Sequence, residues 1–209
     1  ELGRPGAAAS LLDQAFLDRG CWDLEAGQIG GAVAAVEEVA RLADEIGTAE
    51  VAAHREILRG HMARALGESA AALERFATAR RLLLGAGAGD QVVDLDLQVA
   101  DLRAAEGDLA TARALLNGVV TPLRGRGDRL ALLLGEAQLA RLDVREADFA
   151  GATRRVVRLG GAGEKSPVVK LRIALLGARA ELAVAEGRPD DARRDLETAR
   201  RLAEAAGRK

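Results

Sequence analysis

Aromatic side chains make up only 2% of this 209-residue chain, with three Phe, one Trp and no Tyr. Sheets draw heavily on aromatic and β-branched residues, so this scarcity disfavours an all-β fold. The one cysteine, Cys21, excludes an internal disulfide and a Cys-rich zinc site. No apolar run approaches the roughly 20 residues that a membrane-spanning helix needs, and the N-terminus lacks the charged-then-apolar pattern of a secretory signal. A cytoplasmic chain without a membrane segment is expected. Neither sign of charge dominates: 30 Lys+Arg stand against 32 Asp+Glu, for a formal net charge of -2. Together with the missing aromatic stacking platforms, that balance disfavours nucleic acid as a partner. What is present is a foldable mixture, 49% hydrophobic and 30% charged, whose apolar part is mostly Ala, Leu and Val and suits close-packed helices.

Internal repetition organises the chain. Gly27, Gly67, Gly107 and Gly187 fall on a forty-residue ladder whose remaining rung is Ala147. Five residues further on stand Ala32, Ala72, Ala112, Ala152 and Ala192, then Val36, Phe76, Leu116, Val156 and Leu196, then Val39, Ala79, Val119, Leu159 and Ala199. That spacing is one apolar helical face. Upstream of each turn, Gly20, Gly60, Ala100, Ala140 and Ala180 lead to Trp22, Met62, Leu102, Leu142 and Leu182, the face of a second helix. A further ladder, Gly47, Gly87, Gly127, Pro167 and Gly207, marks the unit ends.

Each unit therefore predicts a helix, a tight turn, a second helix and a loop. The fold class is all-α, an α-solenoid of five antiparallel helix pairs in which each pair contacts only its neighbours. Residues 1–6 read as a linker or the end of a preceding element. A single array follows over 7–206, in units 7–46, 47–86, 87–126, 127–166 and 167–206, with 207–209 as a tail. The last helix still carries Leu196, Ala199 and Leu202 on an apolar face. Terminal repeats normally present a polar outer face, so this end is a candidate interface for self-association or for a neighbouring domain of a longer chain.

The ladder of small residue, Gly, Ala, large apolar residue and Ala resembles the tetratricopeptide repeat (TPR), most clearly in Gly67…Ala72…Phe76…Ala79, in Gly107-Asp108-Leu109…Ala112…Leu116 and in Gly187…Ala192…Leu196…Ala199. The unit exceeds the usual length of about 34 residues, Ala147 replaces a turn Gly, and the aromatic positions of the first helix are mostly Leu. The longer variant is similar to the repeats of large bacterial multidomain regulators, maltose-regulator-like and LuxR-type, and such arrays also precede caspase-like protease domains. An excess of Arg over Lys with abundant Ala and Gly fits a high-GC bacterial genome. The resemblance implies a right-handed superhelix that binds a protein, a peptide or a small effector along the groove lined by the first helices. It implies a signalling or transcription-regulatory scaffold, with no reaction, no cofactor and no metal.

Carried over by spacing, one groove rung reads Cys21, His61, Asp101, Arg141 and Glu181, polar or reactive throughout. With their helical neighbours, the groove candidates are His54, His61, Arg64, Asp94, Gln98, Asp101, Gln138, Arg141 and Glu181; the competing reading is the solvated face of amphipathic helices. A Cys21–His61–Asp101 nucleophile arrangement lacks any sign of an oxyanion hole, and seven-residue spacing sets His54 and His61 too far apart to chelate one ion alone. Gly85–Asp90 and Gly160–Ser166 superficially resemble phosphate loops. The first lacks the lysine and the preceding strand, the second has Glu164 between Gly and Lys, and both read as inter-repeat loops. The rung Leu17, Ile57, Leu97, Ala137 and Gly177 is apolar, which argues against base reading by repeats.

Overall fold

The computed structural model describes Arg41 and residues 47–206 apart from 126 and 127. Apart from Arg41, the unit expected over 7–46, including Cys21, lies outside the described residues, as do the lead 1–6, Gly127 and the tail 207–209. Among the described residues there are eight helices and no strand: α1 (Ala49–Ala65), α2 (Ser69–Gly85), α3 (Gly89–Ala105), α4 (Leu109–Leu123), α5 (Arg129–Arg145), α6 (Phe149–Gly163), α7 (Val169–Ala185) and α8 (Pro189–Ala206). Every helix begins twenty residues after the one before it.

The turn chemistry explains this regularity. After α1, α2, α3, α5 and α7 the chain takes one left-handed residue: Gly67, Gly87, Gly107, Ala147 (φ 62°) and Gly187. The following N–H then reaches back to close the helix end, as from Asp148 to the Asp143 carbonyl (2.8 Å) and from Glu68 to that of Ala63 (2.9 Å). The next helix starts on a cap: Asp108, Asp128 and Asp148 accept from the backbone N–H of Thr111, Ala131 and Gly151. The Thr111 bonds hold the Asp108 carboxyl below its usual range. After α4 and α6 the connection is longer, and Ser166 Oγ accepts from the Val168 N–H.

The chain divides into two compact units, one ending at Leu95 and the other beginning at Asp96, with the division inside α3. In the first, α1 packs on α2 around Ala53, Ala72, Phe76, Ala79 and Leu83, all buried. Gly60 is small because a Cβ there would stand 2.5 Å from Phe76 Cε1.

In the second unit α4 packs on α5, α5 on α6 and α7, α6 on α7, and α7 on α8. The alanine rungs Ala112, Ala140, Ala152, Ala180 and Ala192 are all buried at these crossings, where small residues let axes approach closely. Ala137, Leu159 and Leu175 form a cluster that spans α5, α6 and α7. One expectation fails here: Gly160–Gly163 are not loop but the last turn of α6. Tertiary packing overrides their weak helix propensity, since Gly163 lies so close to α7 that a Cβ would meet Leu175 Cδ2 at 2.8 Å. The connection instead runs over 164–168.

Candidate functional site

In the first unit, two turns of α1 separate His54 from His61. The His54 Nδ1–H donates to the Glu50 carbonyl at 2.9 Å, and the His61 ring stands edge-on to Phe76 with centroids 5.2 Å apart. Arg64 and Asp94 are exposed. The histidines are therefore held by helix and core contacts, and among the described residues no group of three or more His, Cys, Asp or Glu converges as a metal site.

In the second unit the sequence rungs do come together. Arg141, on α5, donates from Nε to Glu181 on α7 (2.6 Å) and from Nη1 to Asp101 on α3 (3.2 Å). Each partner lies forty residues away. One turn on, Arg145 donates to the Ala104 carbonyl at 2.8 Å and approaches Glu181 at 3.9 Å. The side chains of Asp101, Arg141 and Glu181 keep 41%, 32% and 31% exposure. They thus form an inter-repeat ion-pair ladder that solvent and ligands still reach. Gln98 and Gln138 sit one turn back on the same faces, with carboxamide oxygens that are buried and accept from no donor among the described residues.

A second polar system was not foreseen from the sequence. Glu56, Glu136 and Asp143 are buried, which is tolerable only with partners. Glu56 accepts from Arg55 (3.1 Å), Arg59 (3.4 Å) and Arg75 (3.1 Å). Glu136 accepts from Arg124 (2.9 Å) and from Arg155. Asp143 accepts from Arg113 and Arg155, both at 2.7 Å. Burial pushes the Glu136 carboxyl up, but Arg124 and Arg155 outweigh it and hold the group below the usual carboxylate range. Arg113 is bound by Glu146 as well as Asp143, which raises its guanidinium above its ordinary value. The sequence signal was available: Glu56, Asp96 and Glu136 are forty apart, and Arg75 and Arg155 each follow their acid by nineteen. Between α6, α7 and the start of α8 lies a cleft of about 390 Å³, lined among others by Val156, Val157, Leu182, Glu186 and Asp195.

The class of protein follows from these facts. Helix pairs on a forty-residue register, small residues at the crossings and one turn geometry define an all-α solenoid of TPR-like repeats. No protein-family model matches the chain and no curated protein does. Solved structures do. BtubC (BKLC) from P. vanneervenii is similar with a TM-score of 0.68 and 14% identity, over 97% of this chain and 83% of that one. Two structures of a Podosopora anserina putative kinesin light chain with nearly identical TPR-like repeats are similar too. One, of a single-substitution form, has a TM-score of 0.62 at 20% identity over 97% of this chain and 98% of that one; the other gives 0.60 at 19% over 97% and 99%. At such identities the likeness is one of fold. Among the described residues no helix is long and apolar enough to cross a membrane.

Proposed function

We propose that this chain is a non-catalytic scaffold that captures a protein or peptide segment on the surface of its first helices, within a larger bacterial signalling or transcription-regulatory protein of the long-repeat kind. The observation that carries the reading is the Asp101–Arg141–Glu181 ladder, part-exposed and repeated at one register position. Ion pairs at such a surface contribute little to stability, so they are exchangeable. Glu181 holds Arg141 at 2.6 Å and Asp101 holds it at 3.2 Å; an incoming carboxylate takes the place of Asp101, the more exposed and more distant partner. Selection of a random peptide library on the immobilised chain tests this. Enriched peptides bind the wild type and lose affinity with Arg141→Glu, while the helical melt stays in place. Undiminished binding in Asp101→Arg, Arg141→Glu and Glu181→Arg alike removes this surface from the reading.

A second reading rests on α8. Leu196 is 54% exposed, whereas Leu116 on the same rung of α4 is 1% exposed beneath the following helix. Ala199 and Leu202 beside it are half-buried. This face then docks a neighbouring domain or a second copy of the chain. Light scattering of the chain with and without Leu196→Glu separates the two readings: a dimer abolished by the substitution favours the end face, and a monomer in both leaves the ladder.

A further inference from the structure

The cleft between α6, α7 and α8 has a counterpart forty residues earlier, and there it is closed. In that earlier position Arg113 reaches from α4 to Asp143 on α5 and to Glu146 at the C-cap of α5 (2.7 and 2.6 Å), and Arg155 closes over Asp143 at 2.7 Å. One period on, Arg113 becomes Thr153, Asp143 becomes Ala183 and Arg155 becomes Asp195, while Glu146 persists as Glu186. The Thr153 hydroxyl donates to its own helix at the Phe149 carbonyl (2.8 Å). By register the position of Arg113 falls to Thr153, whose shorter side chain lines the cleft of about 390 Å³.

The four positions that hold Arg113, Asp143, Glu146 and Arg155 in the earlier repeat keep two carboxylates here, Glu186 and Asp195, and lose both guanidinium groups, so arginines at other positions pair with them. Arg179 pairs with Glu164 (2.8 Å) and Asp195 (3.1 Å), Arg188 with Glu186 and with Asp191 (2.7 Å), and Arg194 with Asp191. At the cleft itself Glu186, Asp191 and Asp195 stand against Arg179, Arg188 and Arg194, with Glu164 outside its lining. In the counterpart Glu146 is held by Arg113 from the neighbouring helix, whereas in the cleft Glu186 is held by Arg188 from the adjoining turn. The apolar wall suits an aliphatic stem: Val157 is 72% exposed beside buried Leu182, and long cationic side chains lay such stems along apolar surface.

We propose that this cleft binds a guanidinium carried on an aliphatic chain, as in an arginine side chain of a partner polypeptide, with the head on Glu186 and the stem along Val157 and Leu182. The ligand occupies the place that Arg113 holds in the repeat before. The site lies apart from the Asp101–Arg141–Glu181 ladder, so it stands or falls independently of that reading.

The test uses the full chain, its backbone amide resonances assigned, titrated to roughly millimolar ligand. N-acetyl-arginine amide is expected to shift amides around Thr153, Val157, Leu182 and Glu186 saturably, and N-acetyl-norleucine amide is not. Butylguanidine supplies the second arm. Shifts from both guanidines assign recognition to the head and stem alone, and shifts from the arginine amide only assign it to a polypeptide source. Glu186→Gln is expected to weaken binding roughly tenfold. Thr153→Arg, at an exposed helical position, is expected to refill the cleft from within and abolish the shifts. Equal shifts from the norleucine compound, binding that survives Thr153→Arg, or no saturable shift at these amides each overturn the proposal.

Discussion

Ala147 sits at φ 62°, a conformation that glycine supplies at the equivalent turns Gly67, Gly107 and Gly187. A Cβ in the left-handed region costs about 1–2 kcal/mol, and glycine returns roughly 0.5–1 kcal/mol of that as unfolded-chain entropy. Ala147→Gly is therefore expected to stabilise the chain by about 0.5 kcal/mol, read as a small rise in denaturant midpoint. Glu136 makes the opposite point, that a polar residue can be indispensable inside. Its folded carboxyl titrates below the unfolded value of about 4.3, so its contribution is whole above that value and is lost as pH falls through the folded one. Glu136→Gln is expected to destabilise by about 2 kcal/mol near neutrality and to flatten the decline of stability in acid. An unchanged acid limb in a pH series of urea melts would refute the assignment.

Among elements, the contact of α1 with α2 turns on one pair. Gly60→Ala adds helix propensity worth about 1 kcal/mol, yet its Cβ would lie 2.5 Å from Phe76 Cε1. Overpacking of that kind costs about 1–3 kcal/mol, so net destabilisation is expected, relieved by Phe76→Leu, the residue found at 116 and 196. A double-mutant cycle by thermal melting checks the coupling. Such packing was legible beforehand: small residues at 60, 72 and 112 on a fixed period announce close helix crossings, and Gly67 and Gly107 announce turns. Three things were not. The glycines 160–163 read as loop because propensity was weighed without Leu175, which sits against Gly163. The acids at 56 and 136 were not singled out because charge ordinarily lies outside, and their burial becomes tolerable only with several arginines, among them Arg75 and Arg155 on the companion helix. The groove rungs were placed by register, but that Arg141 would bind both neighbours depended on side-chain reach across adjacent helices.

For the molecule as a whole, one rung carries opposite consequences in two places. Leu116→Glu buries a charge at a site 1% exposed and is expected to unfold the second unit, whereas Leu196→Glu, at 54% exposure, is expected to leave its melting point nearly unchanged. Circular dichroism of the two variants side by side decides this, and equal damage would mean that α8 is covered in solution. The Asp101–Arg141–Glu181 ladder has a further consequence for how such a gene can grow or shrink. Its signs alternate, while the spacing of helix starts is uniform. Excision of the forty codons that encode 127–166 would keep the helical register intact, yet it would set one carboxylate against another. Copying the same codons would set arginine against arginine. Parity is therefore written into this surface: unequal recombination that changes the count by two preserves the alternation, and a change by one meets repulsion even though every turn and every alanine crossing still fits.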